Sequence, residues 1–189
     1  MNEKSIDLNN DIYKALGHFV VEFSRLLHSL ETSTSHLICP QPNGTMILIR
    51  TALADRTASP IITSFFSVFF KRWEGFIVEK DEKILKTLRK ELDEIVKIRN
   101  RLMHDVWFCN FGQDSSDLDG LYLQRLRAHG KGANFQTNHY STSKINELTS
   151  DANRLSHIIN NIVWYHPPEP NILELYLRFK IIDNKVIEI

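Results

Sequence analysis

The chain has 189 residues, of which 42% are hydrophobic and 24% are charged, as in an ordinary globular protein of one domain or one domain with an appendage. Lysine plus arginine equals aspartate plus glutamate at 23 each, and the sequence pI is about 7.1. This balance argues against a protein that grips long nucleic acid nonspecifically, because such domains usually have a pI above about 9. A local basic cleft is still allowed.

The sequence also limits the compartment. Cys39 and Cys109 have no spacing typical of a disulfide framework, which favours free thiols. Residues 1–10 lack the apolar centre of a signal peptide. The most apolar run, residues 61–70, is too short to span a bilayer, which needs about 20 residues. We therefore expect a cytoplasmic protein with no membrane partner.

Three helices are predicted in the first part of the chain. Residues 8–37 form the first, because apolar residues recur there every three or four positions. Pro40, Pro42 and Gly44 end it. A second helix is predicted over 45–57 and a third over 59–73, since Pro60 is favourable in a first helical turn. The alternative for the last two is one kinked helix.

The fourth and most strongly amphipathic helix is predicted over residues 80–107. Its apolar seam has a spacing of three and four residues and comprises Leu85, Leu88, Leu92, Ile95, Leu102 and Val106. Arg99 occupies the slot between Ile95 and Leu102, where an apolar residue is expected. A charge in such a slot costs several kcal/mol unless it is paired or partly wet. Arg99 therefore either has a dedicated partner or lines a cleft.

The first half of this helix is densely charged. The simpler interpretation is a solvated face with pairs of opposite charge four residues apart. The alternative is a basic approach to a cleft, because Lys97, Arg99 and Arg101 crowd the end of the helix.

The remaining chain predicts two hairpins around one more helix. Residues 110–120 are polar and form a loop, residues 121–127 a short strand, 130–132 a turn, and 134–140 the return strand. A last helix begins at Ser141, Thr142 or Ser143 and ends before Pro167. Apolar residues alternate over 172–189, which predicts a second hairpin around Asp183 and Asn184.

The end of the fourth helix carries the candidate chemistry. Arginine five residues before histidine is a weak signal, because chance supplies about half an instance in a chain of this composition. Three features strengthen it: Asn100 follows Arg99, the segment ends an amphipathic helix, and Arg99 interrupts the seam. At about 100° per residue, Arg99 and His104 lie about 140° apart, whereas Asn100 and His104 share a face. Arg99 must curl toward them, or two copies of the motif must meet across a dimer.

These side chains suit cleavage of RNA without a metal. Histidine can move protons to and from the 2′-hydroxyl and the leaving 5′-oxygen. Arginine can stabilise charge on the scissile phosphate, and Asn100 could hold the imidazole or the substrate. The expected products are a 2′,3′-cyclic phosphate and a 5′-hydroxyl.

The run Arg99-Asn100-Arg101-Leu102-Met103-His104 resembles the R-N-x-x-x-H motif of HEPN domains (higher eukaryotes and prokaryotes nucleotide-binding). Residues 94–98 and 105–107 are also similar to the usual surroundings of that motif. The resemblance covers about residues 8–165 and is specific at six to ten of them. It implies an all-α, up-and-down helical bundle. Together with the patterns described above, this predicts a mainly α bundle of four to five helices over residues 1–166, with a small β-hairpin insertion at about 108–140. Residues 167–189, the C-terminal β-hairpin, depart from the minimal family domain.

The resemblance also implies a function. Many HEPN proteins are dimeric, metal-independent ribonucleases of toxin–antitoxin, abortive-infection and other defence systems. Arg99 and His104 would then be catalytic and Asn100 supporting, with RNA as substrate and an antitoxin or nucleotidyltransferase-like protein as a possible partner. Other members are inactive partners or nucleotide-binding modules, so a non-catalytic module that binds a protein or a nucleotide is the alternative.

Other residues are weaker candidates. Lys97, Arg125 and Arg127 could contact RNA, although a solvated role is the simpler interpretation. Arg101 either faces solvent or contacts a phosphate, and the sequence does not separate these two roles. The sequence has no Gly-rich phosphate loop and no H-E-x-x-H, C-x-x-C or G-x-S-x-G pattern, so we expect neither a metal nor another cofactor. In a purely structural protein, Arg99 would pair with an acidic neighbour and His104 would sit favourably at the end of a helix.

Overall fold

The computed structural model describes residues 3–40, 44–54, 56–109, 121–129, 132–164 and 173–189. The predicted fold class is confirmed: the protein is a mainly α helical bundle with a β insertion and a C-terminal β-hairpin. The helices of the described residues are α1 (Glu3–Ile38), α2 (Gly44–Ala54), α3 (Ala58–Arg72), α4 (Glu79–His104) and α5 (Thr142–Trp164). The strands are β1 (Val106–Cys109), β2 (Leu121–His129), β3 (Gly132–Tyr140), β4 (Phe179–Ile182) and β5 (Lys185–Glu188).

The chain divides into two compact units. The first comprises residues 1–23 and 97–152, and the second comprises residues 24–96 and 153–189. Helices α1, α4 and α5 each contribute residues to both units. The predicted domain boundary at residue 166 falls outside the described residues and stays a prediction. No helix in the described part of the chain is both long enough and apolar enough to cross a bilayer.

The core of the second unit is aromatic and aliphatic. Phe65, Phe66 and Phe69 of α3 are at most 1% exposed, and the rings of Phe65 and Phe66 meet edge to face at 5.2 Å. These three phenylalanines therefore belong to the core. Phe70, the next residue of α3, is half-buried.

Helix α3 is separate from α2. Residues 56 and 57 of the described chain are not helical, and α2 ends at Ala54, earlier than the predicted residue 57. Pro60 lies in the first turn of α3, as predicted, where its missing N–H leaves no intrahelical bond unmade.

The apolar seam of α4 is confirmed at five of its six predicted positions. Leu85, Leu88, Leu92 and Leu102 are fully buried, and Ile95 is 4% exposed. The sixth position is wrong, because Val106 is 61% exposed. The helix ends at His104 instead of continuing to residue 107, so the helical period no longer applies to Val106.

Residues after α4 begin a sheet that the sequence only partly predicted. The hairpin of β2 and β3 is confirmed, with Leu121 opposite Tyr140 and His129 opposite Gly132. β1 pairs antiparallel with β2 and makes the sheet three-stranded. The run Val-Trp-Phe-Cys of β1 contains β-branched and aromatic residues, which favour strands. The predicted loop 110–120 and residues 130 and 131 of the predicted turn lie outside the described residues. Gly132, the third residue of that predicted turn, is instead the first residue of β3.

The N-terminus of helix α5 is capped by one of the three residues that the sequence offers for this role. The Lys144 backbone N–H donates to Oγ of Ser141 at 3.1 Å, so Ser141 is the capping residue. The apolar face of α5 is confirmed as core and comprises Ile145, Leu148, Ala152, Leu155, Ile158, Ile159, Ile162 and Val163.

The C-terminal hairpin is also confirmed, although its first strand is shorter than predicted. Asp183 and Asn184 have φ values of +49° and +60° and make the tight turn between β4 and β5. The predicted extended segment from residue 172 is wrong over Leu175–Leu177, which forms a 3₁₀ turn. Glu174 has a φ of +39°, and this left-handed conformation breaks the extended path before the turn.

A half-buried ion pair holds this hairpin against α4 and α5. The Glu91 carboxylate accepts hydrogen bonds from the Val186 N–H at 2.7 Å and from Nη2 of Arg154. Nη1 of Arg154 donates to the Val186 carbonyl at 2.6 Å. Both backbone groups of Val186 are therefore satisfied by one pair of side chains.

Candidate active site

His104 is the last residue of α4. The Asp105 N–H still donates to the Arg101 carbonyl at 2.9 Å, which closes the final helical turn, and β1 begins at Val106. The His104 side chain is exposed. The His104 imidazole therefore lies at the junction between α4 and β1, where a ligand can reach it from solvent.

Arg99 occupies the apolar seam one and a half turns earlier. Its side chain is half-buried, and its guanidinium carbon lies 5.7 Å from the centre of the Phe23 ring in α1. A cation over an aromatic face is stabilised by about 0.5–2 kcal/mol, depending on desolvation. Within the described residues, no carboxylate pairs with Arg99. An acidic partner for Arg99 is therefore not found among the described residues, and the alternative that Arg99 lines a cleft stays a prediction.

Asn100 connects with Arg99 and not with His104. Nη1 of Arg99 donates to Oδ1 of Asn100 at 3.2 Å, so the arginine does curl toward the face that carries Asn100. Asn100 is exposed, and the helical geometry up to His104 keeps these two residues on one face. In the described part of the chain no hydrogen bond joins Asn100 to His104.

The three motif residues thus form two adjoining pieces. One piece is a guanidinium held between Phe23 and Asn100, and the other is the exposed imidazole of His104. Because Arg99 and His104 are five residues apart on a regular helix, their Cα–Cβ bonds diverge by about 140°. A phosphate that contacts both side chains needs the imidazole to turn toward Asn100, or needs a second copy of the motif.

The weaker candidates are more scattered. Lys97 is exposed and Arg101 is half-buried on α4. Arg125 and Arg127 belong to β2, where their backbones lie opposite Gln136 and Asn134 of β3. The side chains of Arg125 and Arg127 lie outside the described part of the structure, so their contacts with RNA stay predictions.

Phe23 is the residue that the sequence reasoning missed. It is one of the recurring apolar residues that predict α1, and it is 3% exposed, with its ring centre 6.1 Å from that of Phe19. No pattern within α1 indicates that one face of its ring contacts the cation of Arg99, which lies 76 residues further along the chain.

The described residues contain no group of three or more histidine, cysteine, aspartate or glutamate side chains that could hold a metal ion. Comparison with known proteins gives no further guide, because no family model, no curated protein and no solved structure matches the chain.

Proposed function

We propose that this protein is an HEPN-like, metal-independent endoribonuclease that acts in a toxin–antitoxin or antiviral-defence setting. The observation that supports the proposal is a half-buried arginine without a carboxylate partner in the described residues, set five residues before an exposed histidine at a helix end. Keeping an unpaired cation in an apolar seam is unfavourable for a structural residue, so a phosphate is the natural ligand to complete the site.

In the proposed reaction the ribose 2′-oxygen attacks the adjacent phosphorus and the bond to the 5′-oxygen breaks. A histidine accepts the proton of the 2′-hydroxyl, and a protonated histidine returns a proton to the 5′-oxygen. Arg99 stabilises the negative charge that develops on the phosphoryl oxygens. Asn100 holds the guanidinium through Oδ1 and leaves its amide nitrogen for the substrate. The products are a 2′,3′-cyclic phosphate and a 5′-hydroxyl.

A homodimer completes this scheme. Two copies of the motif would supply two histidines, one as base and one as acid, and would let Arg99 of one copy face His104 of the other. Mixing wild-type protein with an equal amount of the double variant Arg99→Gln/His104→Ala tests this point. A shared site predicts that activity falls to about a quarter of that of an all-wild-type sample, because only dimers of two wild-type chains keep both histidines, while a site within one chain predicts about a half.

The direct test incubates purified protein with RNA in EDTA. We expect cleavage by the wild type, loss of cleavage in His104→Ala and in Arg99→Gln, and unchanged cleavage in His28→Ala, which removes another exposed histidine. Product ends are then mapped for the cyclic phosphate. Cleavage that persists in His104→Ala, or that needs a divalent ion, would contradict the proposal.

The second candidate function is a non-catalytic HEPN-like module that binds a partner protein or a nucleotide. The balanced formal charge of the chain favours it, because a nuclease usually needs a positive surface for its substrate. It predicts stoichiometric recovery of one partner with normal binding by the motif variants, and no cleavage by any form of the protein.

A further inference from the structure

The outer face of the first half of α4 carries a surface groove of about 720 Å³. Four lysines, two glutamates and Thr87 line it, and the lysines are Lys80, Lys83, Lys86 and Lys90. All four lysines are exposed. Their spacing of three, three and four residues keeps them on one side of the helix, so that side carries four neighbouring positive charges. We refer to this feature as the lysine groove.

Two carboxylates that could neutralise the lysine groove are used elsewhere. Asp81 is fully buried, and its two oxygens accept hydrogen bonds from the Tyr176 N–H at 3.2 Å and the Val78 N–H at 3.4 Å. Glu91 is held by Arg154 and the Val186 N–H. The sequence suggests a balanced face of alternating charge, whereas the fold turns these two acids inward to hold the C-terminal segment.

The lysines themselves are largely uncompensated. Lys86 pairs with Glu82 at 2.7 Å, and Nζ of Lys80 lies 5.1 Å from the centre of the Tyr176 ring. Lys83 and Lys90 pair with no carboxylate in the described ranges. Four lysines against Glu79 and Glu82 leave a formal charge of about +2 on a surface of a protein whose total charge is zero.

The length of the lysine groove fits a nucleic acid strand. Lys80 and Lys90 are ten residues apart, which is about 15 Å along the helix. Successive phosphates of a stacked strand rise by about 3.4 Å, so the four lysines extend over about four nucleotides. Ammonium groups on flexible stems contact phosphates without reading sequence.

We propose that the lysine groove binds the phosphate backbone of RNA. The identification of the ligand as RNA, in preference to another polyanion, rests on the proposed ribonuclease function. The groove is distinct from the Arg99 and His104 motif, and it would raise affinity for the strand without taking part in bond cleavage. Substitutions in the groove should therefore raise KM and leave kcat unchanged.

The test measures binding of a short, fluorescent 2′-O-methyl oligonucleotide, which has no free 2′-hydroxyl and is not cleaved. The variant is Lys83→Gln/Lys90→Gln. The matched control is Lys14→Gln/Lys180→Gln, which removes two other exposed lysines and gives the same net charge. Single-stranded binding depends on salt with a slope of about 0.7 per phosphate contact, so the groove variant should lower the slope of log Kd against log salt by about 1.4. The control should keep the wild-type slope.

The outcomes separate this proposal from the proposed function. Equal affinity and equal salt slope in the wild type and the groove variant would overturn the lysine groove as an RNA site, whatever the cleavage assay shows. Binding to phosphatidylserine vesicles with none to the oligonucleotide would overturn it too. Weakened binding in the groove variant, together with unchanged cleavage in His104→Ala, would support the groove and contradict the role of His104.

Discussion

The attachment of the C-terminal hairpin makes the sharpest stability prediction. Glu91→Ala removes the acceptor of the Val186 N–H, which lies in a fully buried residue, and removes the carboxylate that holds Nη2 of Arg154. An unsatisfied buried N–H costs about 1–3 kcal/mol. Losing a fully buried ionic partner costs about 3–5 kcal/mol and a surface one at most about 1 kcal/mol.

The side chains of Arg154 and Glu91 are 24% and 11% exposed, so the ionic contribution lies between these limits, at about 1–2 kcal/mol. We therefore expect Glu91→Ala to lower the free energy of unfolding by about 2–5 kcal/mol. Glu91→Gln keeps an acceptor for the Val186 N–H and should lose about half as much. Urea titration followed by tryptophan fluorescence measures the global effect, and exchange of the Val186 amide proton measures local opening.

A matched control uses an exposed pair. Glu147→Ala breaks the Lys144–Glu147 pair, whose side chains are more than half exposed, and should change stability by less than about 0.5 kcal/mol. The double variant Glu91→Ala/Arg154→Ala should lose less than the sum of its single variants, because the pair acts as a unit. A Glu91→Ala protein as stable as the Glu147→Ala control, with unchanged protection of the Val186 amide, would refute this reasoning.

Three further predictions concern α4, α1 and the last turn. Arg99→Leu removes a contact with Phe23 worth about 0.5–1 kcal/mol and adds about 1 kcal/mol of apolar burial. Urea titration should therefore show an unchanged or slightly raised free energy of unfolding, while RNA cleavage is lost. Destabilisation beyond about 2 kcal/mol would contradict this prediction. Burial, and secondarily the charge of Arg72, lowers the pKa of His36 below its ordinary value of 6.5. The unfolded chain therefore binds this proton first, and the wild type should lose more stability than His36→Gln as the pH falls through 6.5; parallel pH profiles would count against it. Asn184→Val places a β-branched residue at a φ of +60° and should cost about 1–2 kcal/mol in the same titration, whereas equal stability of Asn184→Val and Asn184→Gly would contradict the turn argument.

Helices were readable from the sequence where one face meets a core over many turns. The seam of α4 and the apolar face of α5 repeat every three or four residues, and both prove buried. The turn at Asp183 and Asn184 was readable because these two residue types tolerate left-handed backbone. In each case the signal lies within the segment that adopts the structure.

The end of α4 could not be predicted from its own residues, because its position depends on a contact outside the segment. Val106 continues the helical spacing of α4, but it is extended and pairs with Gln124 of β2. That pairing joins residues far apart in the chain, and residues 106–109 alone do not decide between a helix end and a strand.

The candidate site shows the same limit. The sequence pattern indicates Arg99, Asn100 and His104 as candidates, and it allows either an Arg99 that curls along the helix or two motifs that meet across a dimer. The Phe23 ring beneath Arg99 and the inward turn of Asp81 and Glu91 depend on contacts with distant segments. The zero net charge of the chain therefore did not predict the positive lysine groove on α4.

The central claim is that Arg99 and His104 cleave RNA without a metal. The rate of cleavage of one defined oligoribonucleotide in EDTA, compared between the wild type and His104→Ala, tests it most directly. Removing a general acid or base typically lowers a rate by about 10²–10⁴-fold, so we expect a loss of at least about 100-fold and cyclic-phosphate ends on the wild-type products. Equal rates in the two proteins, or no cleavage by a wild-type protein that binds the same RNA, would contradict the account.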